Sequence, residues 1–112
     1  MSFPADEQIE LSPREVLPLL EDGQAVAIDV REVEELAEGV LPGALHIPLQ
    51  ALPHQAGRLP AQRVIVCYCA TGVRSLFAAE ALRTAGLAAY SLAGGIEAWQ
   101  RERLPLEDRP RG

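Results

Sequence analysis

No lysine occurs among the 112 residues; all ten basic side chains are arginine. That excludes an own-chain Schiff-base lysine and a Walker-type phosphate lysine. Cysteine is scarce, with only Cys67 and Cys69, two positions apart. A secreted disulfide framework needs more cysteines at wider spacing, so a reducing compartment is expected. A structural zinc site needs four ligands, and no second Cys or His cluster accompanies the pair, so neither metal nor cofactor is expected. Positive charge is short as well. The net charge of −6 argues against a nucleic-acid surface, which needs a basic face. No apolar run reaches the ~20 residues of a membrane span. The start, Met1 to Glu7, is acidic and lacks the apolar core of a signal peptide. A cytoplasmic protein with no membrane and no nucleic-acid partner is the expectation.

What is present suits a single globular unit. The hydrophobic content of 48% is normal for a packed domain, and the length is enough for one core without staples. One domain is expected over residues 5–103, with 104–112, which carries two prolines and mixed charges, as a loose tail. Gln8 to Leu11 alternates as a short edge strand does. Ser12, Pro13 and Glu15 form a helix start, with Ser12 at the N-cap and Glu15 completing a capping box. Pro18 inside that segment predicts a short or bent helix. Ala25 to Asp29 is an apolar run ended by an acid, the pattern of a strand buried on both faces. Glu32 to Glu38 reads as a short acidic helix with a solvated face, stopped at Gly39. A third strand is expected at Ala44 to Ile47, a fourth at Val64 to Tyr68 and a fifth at Ala88 to Leu92. Helices are expected from Ser75 to Ala85 and from Ile96 to Arg103, where Trp99 is a core candidate. Strands alternating with helices predict an α/β fold with a mostly parallel sheet. Ligands of such sheets bind beyond the carboxyl ends of the strands, where Asp29 and Cys69 both fall.

The most informative stretch is residues 63–75. A buried strand runs into Cys69, then Ala70, Thr71, Gly72, Val73 and Arg74, and a helix follows at Ser75. Such a turn is an anion cradle, because free backbone N–H groups and the helix dipole both favour negative charge. A cysteine at its mouth has a lowered thiol pKa, and the thiolate is the nucleophile. Gly72 supplies the positive φ that a tight cradle requires. Arg74 adds positive charge, and Thr71 and Ser75 add hydroxyls, although Ser75 is equally an N-cap candidate. Cys67 reads as a core side chain, since an i, i+2 pair in extended chain has poor disulfide geometry. Asp29 and Arg31 read as supports that fix the rim by ion pairing, with Arg31 a minor candidate for attracting anions. His46 and His54 have no visible partner and read as structural or surface residues.

Several blocks together resemble the rhodanese-like domain. Ile28-Asp29-Val30-Arg31-Glu32, Glu38-Gly39, Pro42-Gly43-Ala44 and Ile47-Pro48 are similar to its N-terminal signature. Tyr68 to Ser75 resembles its active-site loop, and Gly94-Gly95-Ile96-Glu97-Ala98-Trp99 its closing motif. The resemblance implies a five-stranded, mostly parallel sheet flanked by helices, and a Cys69 that carries sulfane sulfur as a persulfide. The implied activity is sulfurtransfer, with Cys69 catalytic and Ala70, Thr71, Gly72, Val73, Arg74 and Ser75 binding substrate. Its partners would be a small donor such as thiosulfate and a thiol or cyanide acceptor, with a sulfur-accepting protein as a further candidate.

Two positions depart from the family pattern. Val40 stands where a histidine often follows the glycine, a structural position. Ala70 stands where single-domain members often carry a basic residue, leaving Arg74 as the only charged side chain of the loop. If loop charge governs donor choice, Ala70→Arg lowers the KM for thiosulfate, and an unchanged or higher KM in a steady-state assay refutes that account. Two other readings compete. A phosphatase or arsenate reductase of the cysteine-nucleophile type places five residues between Cys and Arg, whereas four stand here, Ala70 to Val73. A sulfur carrier or binding module would use the same Cys69 without turnover.

Overall fold

The computed structural model describes residues 7–111; the acidic start and first domain residues, up to Asp6, and Gly112 lie outside the described residues. Nine α and β elements follow one another, interleaved with short 3₁₀ turns. They are β1 (Glu10–Leu11), α1 (Pro13–Glu21), β2 (Ala25–Asp29), β3 (Leu45–His46), α2 (Leu52–Gln55), β4 (Val64–Tyr68), α3 (Val73–Thr84), β5 (Ala89–Leu92) and α4 (Gly95–Arg101). The five strands form one sheet in the order β1-β5-β4-β2-β3, and every pairing is parallel.

The central strands explain their own sequences. Every residue of β2 and β4 is buried, and alternate side chains feed two separate cores. Ala25, Ala27, Val64, Val66 and Tyr68 pack with Val16 and Leu19 of α1 and with Ile96 and Trp99 of α4. Val26, Ile28, Ile65 and Cys67 pack on the other face with Leu52 of α2 and Ala78, Ala79 and Leu82 of α3. Burial from both sides is why these strands read as unbroken apolar runs. Among the described residues no buried side-chain nitrogen or oxygen lacks a hydrogen-bond partner, and no helix is long and apolar enough to cross a membrane.

The helix starts follow capping chemistry. Ser12 Oγ accepts from the Glu15 amide at 3.2 Å and Glu15 Oε1 from the Ser12 amide at 2.8 Å, the expected box. Pro18 lies inside the nine-residue α1. The acidic stretch is a short helix stopped at Gly39, as expected, and it is of the 3₁₀ type, Val33–Glu38. Two expectations are corrected. α3 begins at Val73, because Gly72 at φ +102° is the residue before the first turn; Ser75 is therefore inside the helix and not its N-cap. The expected loose tail is docked over 104–111. Val40 and Glu107 exchange both backbone hydrogen bonds, at 2.9 and 2.8 Å, and the Arg111 amide donates to Ala44 O at 2.7 Å. Trp99 supplies the reason: its buried indole N–H needs an acceptor, and Pro105 O lies 2.8 Å away.

Candidate active site

β2 and β4 are in register at Asp29 and Tyr68, so the chain leaves both strands on the same rim. From β4 it passes through Cys69 into a three-residue turn and then α3. Two amides of that turn and helix converge on one sulfur: Gly72 N lies 3.2 Å and Ser75 N 3.4 Å from Cys69 Sγ. Ser75 Oγ lies 3.5 Å from the sulfur and is fixed from behind by Ser91 Oγ at 2.8 Å. Burial alone pushes the Cys69 thiol up. The Ser75 hydroxyl and the amides of Ser75, Gly72 and Thr71 outweigh it, and the thiol sits below its ordinary value. The residue is nearly enclosed, at 1% exposure, so the sulfur sits against the loop and its amides.

Two glycines let the loop close this tightly. A Cβ on Gly72 would meet Gly94 N at 3.2 Å, and its φ of +102° disfavours other residues. Gly95, at φ +64°, lies still closer: a Cβ there would strike the carbonyl of Ala70 and come within 2.6 Å of Cys69 O. Those carbonyls are held by the first turn of α4, where Ile96 N donates to Cys69 O at 2.9 Å and Glu97 N to Ala70 O at 3.1 Å. The Gly94-Gly95 pair thus ties the loop down from the neighbouring strand's exit.

Charged groups brace the other side. Asp29 and Arg31 are 0% and 1% exposed and form a forked pair, with Arg31 Nη2 to Asp29 Oδ2 at 2.7 Å and Nε to Oδ1 at 2.9 Å. Arg31 also donates to Glu35 O and Gly39 O, and its guanidinium lies 5.6 Å from the Tyr68 ring centre. The role of rim support is what the geometry gives Asp29 and Arg31; attraction of anions by Arg31 is corrected, because the side chain is buried and fully engaged. His46, expected to lack a partner, has its Nε2 2.8 Å from Arg31 O. Cys67 is enclosed, and burial with the nearby Cys69 charge pushes its thiol up to about 12.

Arg74 does not stand free either. Its Nη1 and Nη2 meet Glu35 Oε1 and Oε2 at 2.7 and 2.9 Å. The Arg74 fork, helped by the Glu32 amide and Arg31, outweighs burial and brings the Glu35 carboxyl down to about 2. Glu35 was hidden in the sequence as one acid of a solvated run. Its signal was local: Glu35 Oε1 accepts from the Glu32 amide at 2.9 Å, the three-residue spacing of a capping box. Ser91 carried no signal in sequence. Of the remaining loop residues, Val73 is 62% exposed at the rim, Ala70 is half-buried, and Thr71 is exposed, reaching the sulfur through its amide rather than its hydroxyl. Among the described residues no group of three or more His, Cys, Asp or Glu side chains could hold a metal ion.

A sulfurtransferase of Allochromatium vinosum is 35% identical over 89 residues, covering 79% of this chain and 83% of its own length. The thiosulfate sulfurtransferase GlpE of Actinobacillus succinogenes is 29% identical over 99 residues, 88% of this chain and 89% of that protein. The crystal structure of a rhodanese-related protein from Thermoplasma volcanium superposes with a TM-score of 0.81 at 28% identity, covering 87% of this chain and 95% of that one. The model of the rhodanese-like domain matches residues 12–102. Its match takes in most of both cores, the Cys69 loop and the Gly94-Gly95 turn, and the chain belongs to the rhodanese-like domain family.

Proposed function

We propose that the protein moves sulfane sulfur from a small donor to a thiol or cyanide acceptor through a persulfide on Cys69. The observation that carries this reading is the convergence of the Gly72 and Ser75 amides on a sulfur whose thiol is already acidified. The Cys69 thiolate attacks the outer sulfur of a donor such as thiosulfate. A new S–S bond forms, the donor's S–S bond breaks, and its electron pair leaves with sulfite. The acceptor then attacks the outer sulfur of the persulfide and releases the thiolate, a two-step covalent exchange. The lowered thiol pKa raises the thiolate fraction and so lessens the need for a general base. The amides of Thr71, Gly72 and Ser75 stabilise the negative sulfur in both halves, while Ala70, Val73 and Arg74 shape the mouth. We propose a reducing compartment, the cytoplasm, for the reaction, because a sequence with only two cysteines two positions apart carries no disulfide framework.

Intact mass spectrometry tests this directly. After thiosulfate or a small hydropersulfide, the protein is expected to gain one sulfur, which cyanide removes and Cys69→Ser never acquires. Loading that reaches a thiol-bearing protein but gives no turnover on small acceptors would make the protein a carrier. A reduced, folded sample that gains no sulfur from either donor sinks the proposal.

A further inference from the structure

Arg74 is the only charged side chain between Cys69 and Ser75, and it is already matched. Both of its terminal nitrogens meet both oxygens of Glu35, at 2.7 and 2.9 Å. The pair is open to solvent, with the two side chains 37% and 31% exposed. Arg31, which also touches the Glu35 segment, is buried against Asp29 and offers nothing to the mouth. The 3₁₀ segment that carries Glu35 also carries exposed Glu34 and Glu38, with exposed Glu32 just before it. Arg74 also interacts with the Cys69 sulfur. With Glu35 and that sulfur both on its guanidinium, the attraction left for the rest of a donor is chiefly that of the loop amides, which point at a single sulfur. Glu35, with its carboxyl brought down to about 2, stays ionised across the neutral range, so the pairing persists there.

Donors differ in how they meet such a site. Thiosulfate carries two negative charges, and when its outer sulfur faces Cys69 its sulfonate must sit at the rim. The hydropersulfide of a small neutral thiol carries at most one charge, on the sulfur the amides receive. We propose that Glu35 is a specificity-determining residue that, by occupying Arg74, turns the site away from dianionic donors and toward hydropersulfides of small thiols. This inference rests on the sulfur-transfer reading. The step is the same for either donor: the Cys69 thiolate forms an S–S bond to the outer sulfur, and the electron pair of the broken bond leaves with sulfite or with the parent thiolate.

The test compares second-order rate constants for gain of one sulfur by Cys69, followed by intact mass, with thiosulfate and with the hydropersulfide of 2-mercaptoethanol. Releasing one surface charge of this kind is worth a factor of roughly five. Glu35→Gln is therefore expected to raise the thiosulfate-to-hydropersulfide ratio by that factor, and to leave the ratio unmoved when Arg74→Met is already present. A ratio that does not rise, or a rise that persists without Arg74, overturns the inference. A second measurement needs no variant. Across hydropersulfides whose remaining part carries no, one or two negative charges, loading of the native protein falls with charge, and added salt flattens the fall. Loading that is independent of donor charge overturns the role of Glu35 alone; absence of loading from every donor overturns the sulfur-transfer reading and this inference with it.

Discussion

Replacing Gly95 with alanine is expected to cost about 2–4 kcal/mol of stability and to return the Cys69 thiol toward its ordinary acidity. Two penalties combine. A φ of +64° is left-handed, which an alanine tolerates poorly, and the new methyl would strike the carbonyls of Ala70 and Cys69. Those are main-chain atoms of the loop, so relief requires the loop or the first turn of α4 to move. Either shift breaks the hydrogen bonds from Ile96 and Glu97 and disturbs the amides around Sγ. Gly23→Ala separates the two penalties, since Gly23 has φ +73° and a methyl added there would meet nothing within 4 Å. Urea unfolding of both variants gives the stability difference, and the pH dependence of Cys69 alkylation gives the acidity. Equal destabilisation of the two variants, with unchanged alkylation, would show that the loop does not depend on this contact.

Asp29→Asn is expected to destabilise the fold by about 3–5 kcal/mol, because it leaves the Arg31 charge buried without its counter-ion. Burial opposes the Arg31 charge, and the hydrogen bonds and charge of Asp29 outweigh it, so the guanidinium is held ionised. Asparagine keeps the size and one acceptor but removes the charge. That loss is a large part of a typical total of about 5–15 kcal/mol. The effect should extend to the site, since Arg31 also holds Glu35 O and Gly39 O. Chemical denaturation measures it, and a loss below about 1 kcal/mol would mean that water or a neighbouring acid replaces Asp29.

The sequence carried the sheet well because its central strands are buried on both faces. Ala25 to Asp29 and Val64 to Tyr68 could hardly be anything else, and the Ser12 box fixes the start of α1. Cys69 and Gly72 were legible because a tight turn onto a helix needs a positive φ and directs its amides at the side chain that opens it. What escaped depended on distant partners. Glu35 is paired with Arg74 across 39 positions, and nothing in the acidic run distinguishes it from its neighbours except a local cap. The docking of 104–111 depends on where the Trp99 indole and the Val40 backbone come to lie, and composition alone made that stretch look unattached. Ser75 was ambiguous because a serine two residues into a helix and a serine at its cap have the same local surroundings in sequence.

The Gly94-Gly95 turn has a consequence for the order in which reactivity is acquired. The loop that cradles Cys69 is encoded before the segment that clamps it, and a short helix start is costly to form by itself. Until β5 and the first turn of α4 have arrived, the carbonyls of Cys69 and Ala70 lack their partners, and the sulfur lacks Ser91 behind Ser75. An incomplete or unravelled chain therefore carries two unremarkable thiols. The acidified Cys69 thiol is a property of the finished fold.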